Sequence, residues 1–263
     1  MIRVLRAEWR KLRRPTLFLG TMGAVMGVTA LVTSLLFLLL DSARGNAREG
    51  HIITRATLEL PQGFSIGFSN SAGLLGLVAL CVFAAQSAQE YTYGTLRNLL
   101  VRQPRRLTLL LGKFSAMTLF ALLSVALSAI VSLTLAYALA GRAKVATSAW
   151  FSHQAGSALL HTFVNVFISV IAYGLIGMAL GLLLRSPISA ISIGVAWLLV
   201  IENIIAATVK GSGRWMPGQL ITTISSGGDF NSSYSHAILI LASYLVIASL
   251  GVAILFKRRD VAN

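Results

Sequence analysis

Carboxylates are scarce in this chain: eight Asp and Glu stand against 22 Lys and Arg in 263 residues, and charged residues of both signs make up only 11%. A soluble domain of this size carries roughly 25% charged residues. With 56% of residues hydrophobic, no single core could absorb the apolar surface, so the solvent for most of the chain must be lipid. Cysteine is nearly absent too. Cys81 stands alone inside an apolar run, which excludes an intrachain disulfide and a cysteine metal site.

Catalytic signals are missing as well. Gly112-Lys113 resembles the end of a nucleotide-binding loop, but Leu107 stands where glycine is needed and Phe114 where Ser or Thr is needed. Such a loop requires glycine so that backbone amides can cradle phosphate. Any ATP must therefore be hydrolysed by another chain, and this one reads as no enzyme by itself. His161 and Asn165, one turn apart, raise the question of an intramembrane protease. Against it, no span carries a Gly-x-Ser-Gly-like nucleophile turn, and the last span has no His base within it, His236 lying at its edge. His51, His153, His161 and His236 show no metal-ligand spacing. No internal repeat supports an inverted-repeat carrier. No cleavable signal is read either, because the apolar run after the basic start, about 24 residues, exceeds a signal-peptide core.

What is present is a set of six long apolar runs, at 17–40, 66–88, 107–139, 159–184, 188–209 and 237–256. About 20 residues cross the hydrocarbon, so each can span. The third is overlong, and its first two turns, through Lys113, are expected below the membrane. Arg185-Ser186-Pro187 between the fourth and fifth runs is a tight turn joining antiparallel neighbours. Counting Lys and Arg on alternate sides gives fifteen on the side that holds both ends of the chain and seven on the other. The richer side is expected to be cytoplasmic. This predicts an all-α, polytopic protein in the inner or plasma membrane, a single transmembrane domain with both termini cytoplasmic.

Residues 1–15 are amphipathic. Ile2, Leu5, Trp9 and Leu12 recur at helical spacing with arginines elsewhere, and Pro15 ends the pattern. The expectation is an interfacial helix in the headgroup layer, anchored by Trp9 with Arg10 and Lys11 beside it. A plain basic flank is the other reading of the same stretch. On the opposite side, 41–65 reads as a polar loop of mixed charge. Within 210–235, Trp215, Met216, Pro217, Leu220 and Ile221 precede Ser225-Ser226-Gly227-Gly228. That apolar patch is too short to span and suits a short re-entrant or interfacial helix before the sixth span.

The connector between the second and third spans is the most informative stretch. Thr95 could cap a short helix over 96–102, ended by Pro104, with Leu96, Leu99 and Leu100 on one edge between Arg97 and Arg102. Such an element is either a docking surface for a partner or a basic loop touching lipid headgroups. Glu90 at the membrane boundary could pair with basic groups or cap that helix, and Gly94 permits a sharp exit from the second span.

The order Glu90, three residues, Gly94-Thr95-Leu96-Arg97, a Leu-rich turn, Pro104, basic residues and then Leu-x-Gly112-Lys113 resembles the signature of ABC transporter permeases of the type-2 exporter class. Glu8-Trp9-Arg10-Lys11-Leu12 is similar to an element of their N-terminal amphipathic helix. The resemblance implies that 90–103 is a coupling helix docking on a separate ATPase subunit, with Glu90, Gly94, Thr95, Leu96 and Arg97 in that role. It also implies a second permease, identical or related, and ATP with Mg bound by the partner ATPase rather than by this chain. Membrane lipids are the remaining partner; nucleic acid is not. A non-transporting immunity or sensor subunit is the alternative.

One charge falls inside a span: Glu202, beside Asn203, in the outer half of the fifth. A carboxylate there is costly and is a functional candidate by default. It lines a pathway, or it anchors structure by bonding to the outer re-entrant loop or to His161.

Overall fold

The computed structural model describes residues 2–40, 53–95, 101, 106–228 and 232–258, the side chains of 255–258 excepted. It is all-α, with no strand among the described residues and six helices long and apolar enough to cross a membrane.

The helices run in chain order as α1 (Ile2–Leu12), α2 (Pro15–Leu38), the short α3 (Arg55–Glu59), α4 (Ile66–Thr92), α5 (Arg106–Ala140) and α6 (His153–Leu184). The fifth span is built from α7 (Pro187–Val195), a π-helical segment (Ala196–Ile201) and α8 (Glu202–Thr208); α9 (Pro217–Ser226) and α10 (Tyr234–Arg258) follow. Apolar runs locate the hydrocarbon, whereas helices continue into polar turns. Hence α4 extends four residues past the predicted 88, α6 begins at His153 rather than 159, and α10 begins at Tyr234 rather than 237. Local chemistry sets several ends. Pro15 and Pro187 open α2 and α7, and the Ser152 hydroxyl accepts from the Ala155 amide to cap α6.

The centre of the bundle is the α4–α6 pair. Gly177 and Gly181, one turn apart on α6, lie directly against the backbone of Leu80 and Ala84 on α4, where a Cβ would collide. Small residues at this spacing let transmembrane helices approach closely, which is how they gain contact in a solvent as apolar as themselves. α2 packs on α5 through paired hydroxyls, Thr29 to Ser128 at 2.8 Å and Thr33 to Ser132 at 3.0 Å, all four buried. These pairs satisfy polar atoms that lipid could not.

The two ends of the bundle differ. At the end away from α1, the stretch read as a polar loop is partly folded: Leu58 of α3 is fully buried, and Trp150 Nε1 donates to the Leu58 carbonyl at 2.8 Å. Phe37 and Phe64 pack against the Trp150 ring. Nearby, α9 is the short helix expected before the sixth span. Ile221, buried, accepts from Ser169 Oγ of α6 at 3.1 Å. Ser169 lies 15 residues from Leu184, about 22 Å along the helix axis, so α9 dips beside the span instead of lying on its rim.

Candidate functional site: buried charges at the feet of the connector

Three segments far apart in sequence converge at the α1 end. Glu8 and Lys11 sit one turn apart on α1, Glu90 in the last turn of α4, and Lys113 in the second turn of α5. Lys113 Nζ lies 2.7 Å from Glu8 Oε2 and 2.7 Å from Glu90 Oε1, and it donates to the Gln86 carbonyl at 3.2 Å. An ammonium has three donors, and here all three are used. Lys11 Nζ closes the ring, 2.6 Å from Glu8 Oε1 and 2.8 Å from Glu90 Oε1. Two carboxylates and two ammoniums sum to no net charge. Glu8, Glu90 and Lys113 are 4%, 7% and 2% exposed, so solvent does little to screen them.

Burial alone pushes the Glu8 carboxyl up, but the Lys113 charge and the hydrogen bonds from Lys11 and Lys113 outweigh it and hold the group below its ordinary 4.5. Burial likewise pulls the Lys11 ammonium down, and Glu90 and Glu8 reverse that, holding it above its ordinary 10.5. Both therefore stay charged across the physiological range.

The packing that brings them together is legible residue by residue. A Cβ on Gly112 would stand 2.6 Å from Val4 Cγ1, so glycine here lets α1 lie flat on α5 and brings Glu8 to Lys113. Leu12 is 2% exposed, and Val4, Leu5 and Trp9 pack against the same apolar cluster. The helix expected over residues 1–15 is present, and it adds a contact the periodicity did not specify: Val4, Leu5, Trp9 and Leu12 pack against the protein's apolar cluster, Trp9 half-buried, while Ile2 stays exposed. Lys11 is a member of the ion cluster, whereas Arg10 is exposed and donates to the Arg6 carbonyl at 3.4 Å. Periodicity reveals an apolar face without saying whether lipid or protein receives it. Lys113, expected below the membrane as a basic flank, is likewise buried.

The cluster stands at the two feet of the connector. α4 ends at Thr92, and Gly94 follows at φ +64°, the left-handed conformation that supplies the sharp exit expected of it. Thr95 is exposed. Leu96 and Arg97, with half of the helix expected over 90–103, lie outside the described residues; Val101 is 80% exposed. Glu90 lies in the last turn of α4, buried and paired with Lys11 and Lys113, the pairing with basic groups expected of it. The turn between the fourth and fifth spans adds a contact. Arg185, itself left-handed at φ 55°, places its guanidinium 5.3 Å from the centre of the Tyr91 ring, and Thr92 Oγ1 donates to its carbonyl at 3.4 Å.

The second candidate pair sits at the opposite end. Glu202 is fully buried, and its Oε2 accepts from the Gly218 amide at 2.7 Å, in the first turn of α9. α9 has no side-chain cap of its own at Met216. Glu202 thus supplies from another helix the negative charge that a helix N-terminus favours. Asn203 Oδ1 accepts from Gln219 Nε2 at 3.2 Å. Of the two anchors considered for Glu202, the outer helix is the one used, while His161 is exposed. Asn165, its neighbour by one turn, accepts from the Tyr234 hydroxyl at 2.7 Å.

No curated protein matches the chain. A family model described as "Protein of unknown function (DUF2705)" matches residues 51–262. The match includes Glu90, Gly112, Lys113 and Glu202 but not Glu8 or Lys11. Spanning most of the sequence, it places this six-helix membrane protein in the DUF2705 family.

Proposed function

We propose that this chain is the transmembrane subunit of an ATP-driven ABC exporter, pairing with a second permease and worked by separate ATPase subunits that bind ATP and Mg. The end carrying α1 and the connector would face the cytoplasm. The observation that carries the reading is the ion cluster. A docking element can pass motion to the spans only if its feet are fixed, and both feet of this connector, Glu90 before it and Lys113 after it, are held to each other and to α1. A basic loop serving only lipid headgroups has no need of such a clamp. The two stretches that resemble the exporter permeases, Glu8–Leu12 and Glu90–Lys113, supply all four charges of the cluster.

In this mechanism, closure of the ATPase pair on ATP displaces the connector. The clamp carries the displacement into α4 and α5 and, through Arg185 on Tyr91, into the turn that begins the fifth span. A pathway between two permeases then opens outward. The test is purification of the complex from native membranes, with ATP hydrolysis assayed in the eluate. An ATPase is expected to co-purify. Leu96→Asp, which puts a carboxylate among the leucines that the sequence spaces for an apolar edge, is expected to weaken its hold by about thirtyfold, the equivalent of a 2 kcal/mol hot spot. A complex without ATPase, built instead around a kinase or regulator, would support the non-transporting immunity or sensor role.

A further inference from the structure

The backbone of the fifth span leaves α register at its middle. Across Ala196–Ile201 the helix is π, and the Glu202 amide donates to the carbonyl of Trp197, five residues back. A π segment accommodates one residue more than the α turn it replaces. Everything beyond it is therefore rotated by about 100°, the angle of one residue at 3.6 per turn. Two side chains bear on that register. Glu202 holds the Gly218 amide of α9, and Asn203 bridges the same two elements, its Nδ2 donating to the Leu199 carbonyl at 2.9 Å while its Oδ1 accepts from Gln219.

We propose that Ala196–Ile201 is a register switch, with Glu202 and Asn203 as the positioning residues that hold its π form against α9. If the segment relaxes to α while the inner half of the span stays fixed at Arg185, each following residue advances by one angular place. Ile201, now 38% exposed, takes the place of Glu202 against α9. Glu202, now fully buried, takes the exposed place of Asn203. The carboxylate moves from the first turn of α9 to the outward face of the span, and α9 loses its cap, since Met216 provides none. The switch has two discrete states and gives α9 a held form and a released one. It stands on the chain's own geometry and holds whether or not the chain exports.

The test uses spin labels and no transport assay, so its outcome is independent of the exporter reading. Cys81→Ser removes the one cysteine. Single labels are then placed at Ile204→Cys and Ala206→Cys in the full chain in bilayers and read by collision with dissolved oxygen. Ile204 is 58% exposed and would move to the half-buried place of Ile205; Ala206 is half-buried and would move to the exposed place of Ala207. In Glu202→Leu, and independently in Asn203→Leu, oxygen access is expected to fall at 204 and rise at 206. Simple loosening would raise both. Deleting Val200, an exposed residue of the π segment, removes the extra residue. That chain is expected to insert, to keep the present pattern at both labels, and to make Glu202→Leu without effect on either. Parallel changes or no change in the folded variants, a deletion chain that cannot insert, or an undiminished response in the deletion background would overturn the switch.

Discussion

Both ends of this bundle hold charge inside an apolar surround, by different means. At the α1 end, Glu8, Lys11, Glu90 and Lys113 neutralise one another, and every donor of Lys113 has an acceptor. At the far end a single carboxylate, Glu202, leans on the amide of Gly218 and the first turn of a ten-residue helix. Four mutually paired charges cannot be rearranged one at a time, because removing one leaves another uncompensated in a poorly screened site. A carboxylate held by a helix N-terminus has no partner of opposite charge to leave uncompensated when it moves. The first arrangement suits a fixed clamp, the second a contact that breaks and reforms.

Lys113→Met breaks the comparison most severely. It leaves Glu8 and Glu90 sharing Lys11, the other cation of the cluster, and loss of one member of a buried pair costs about 3–5 kcal/mol. Thermal unfolding in detergent or nanodiscs is expected to show a large drop in Tm. An unchanged Tm would mean that solvent reaches the cluster. Glu202 gives a smaller effect with a diagnostic order. Glu202→Leu leaves the buried Gly218 amide unbonded and is expected to cost about 1–3 kcal/mol. Glu202→Gln keeps an acceptor and loses mainly the charge against the helix terminus, about 0.3–1 kcal/mol. Equal losses in the two variants would remove the capping role.

The response to pH sharpens the contrast at the α1 end. Glu8 titrates below its ordinary 4.5 in the folded chain, so its contribution is fully present above 4.5 and is lost as pH falls through the lowered value. Lys11 titrates above its ordinary 10.5, so its contribution is fully present below 10.5 and is lost as pH rises through the raised value. Between those limits the cluster's contribution to Tm is expected to be flat. It is read as the difference in Tm between the wild type and a chain with all four charges replaced. A step in that difference near neutral pH would contradict the assignment.

The six spans and their helical character are legible in the sequence because a lipid solvent demands long apolar runs, and little else produces them. The helices at residues 1–15 and before the sixth span are legible from short apolar patterns. The partners of those patterns are not. Glu8 meets Lys113 across 105 residues and Lys11 meets Glu90 across 79, and no local spacing announces such a pairing. A signal did exist in the signs of the charges: Glu8 and Glu90 are the lone acids in two strongly basic stretches, and Lys113 follows six residues of an apolar run. Gly112 looked like part of a failed phosphate loop, and its use, making room for Val4, depends on a helix from the other end of the chain. The π segment has no mark in composition, since Ala196–Ile201 reads as ordinary apolar helix.

The central claim is that the connector's feet move as one clamped body. Its most direct test is the distance between spin labels at Thr92→Cys and Leu107→Cys, on the two feet, in a Cys81→Ser chain reconstituted with the ATPase subunit proposed above. The account predicts one narrow distance distribution, unchanged by ATP, while distances from either foot to a label on α9 shift; Lys113→Met broadens the distribution between the feet. A broad distribution in the wild-type chain, or one that ATP alters as much as Lys113→Met does, would contradict it.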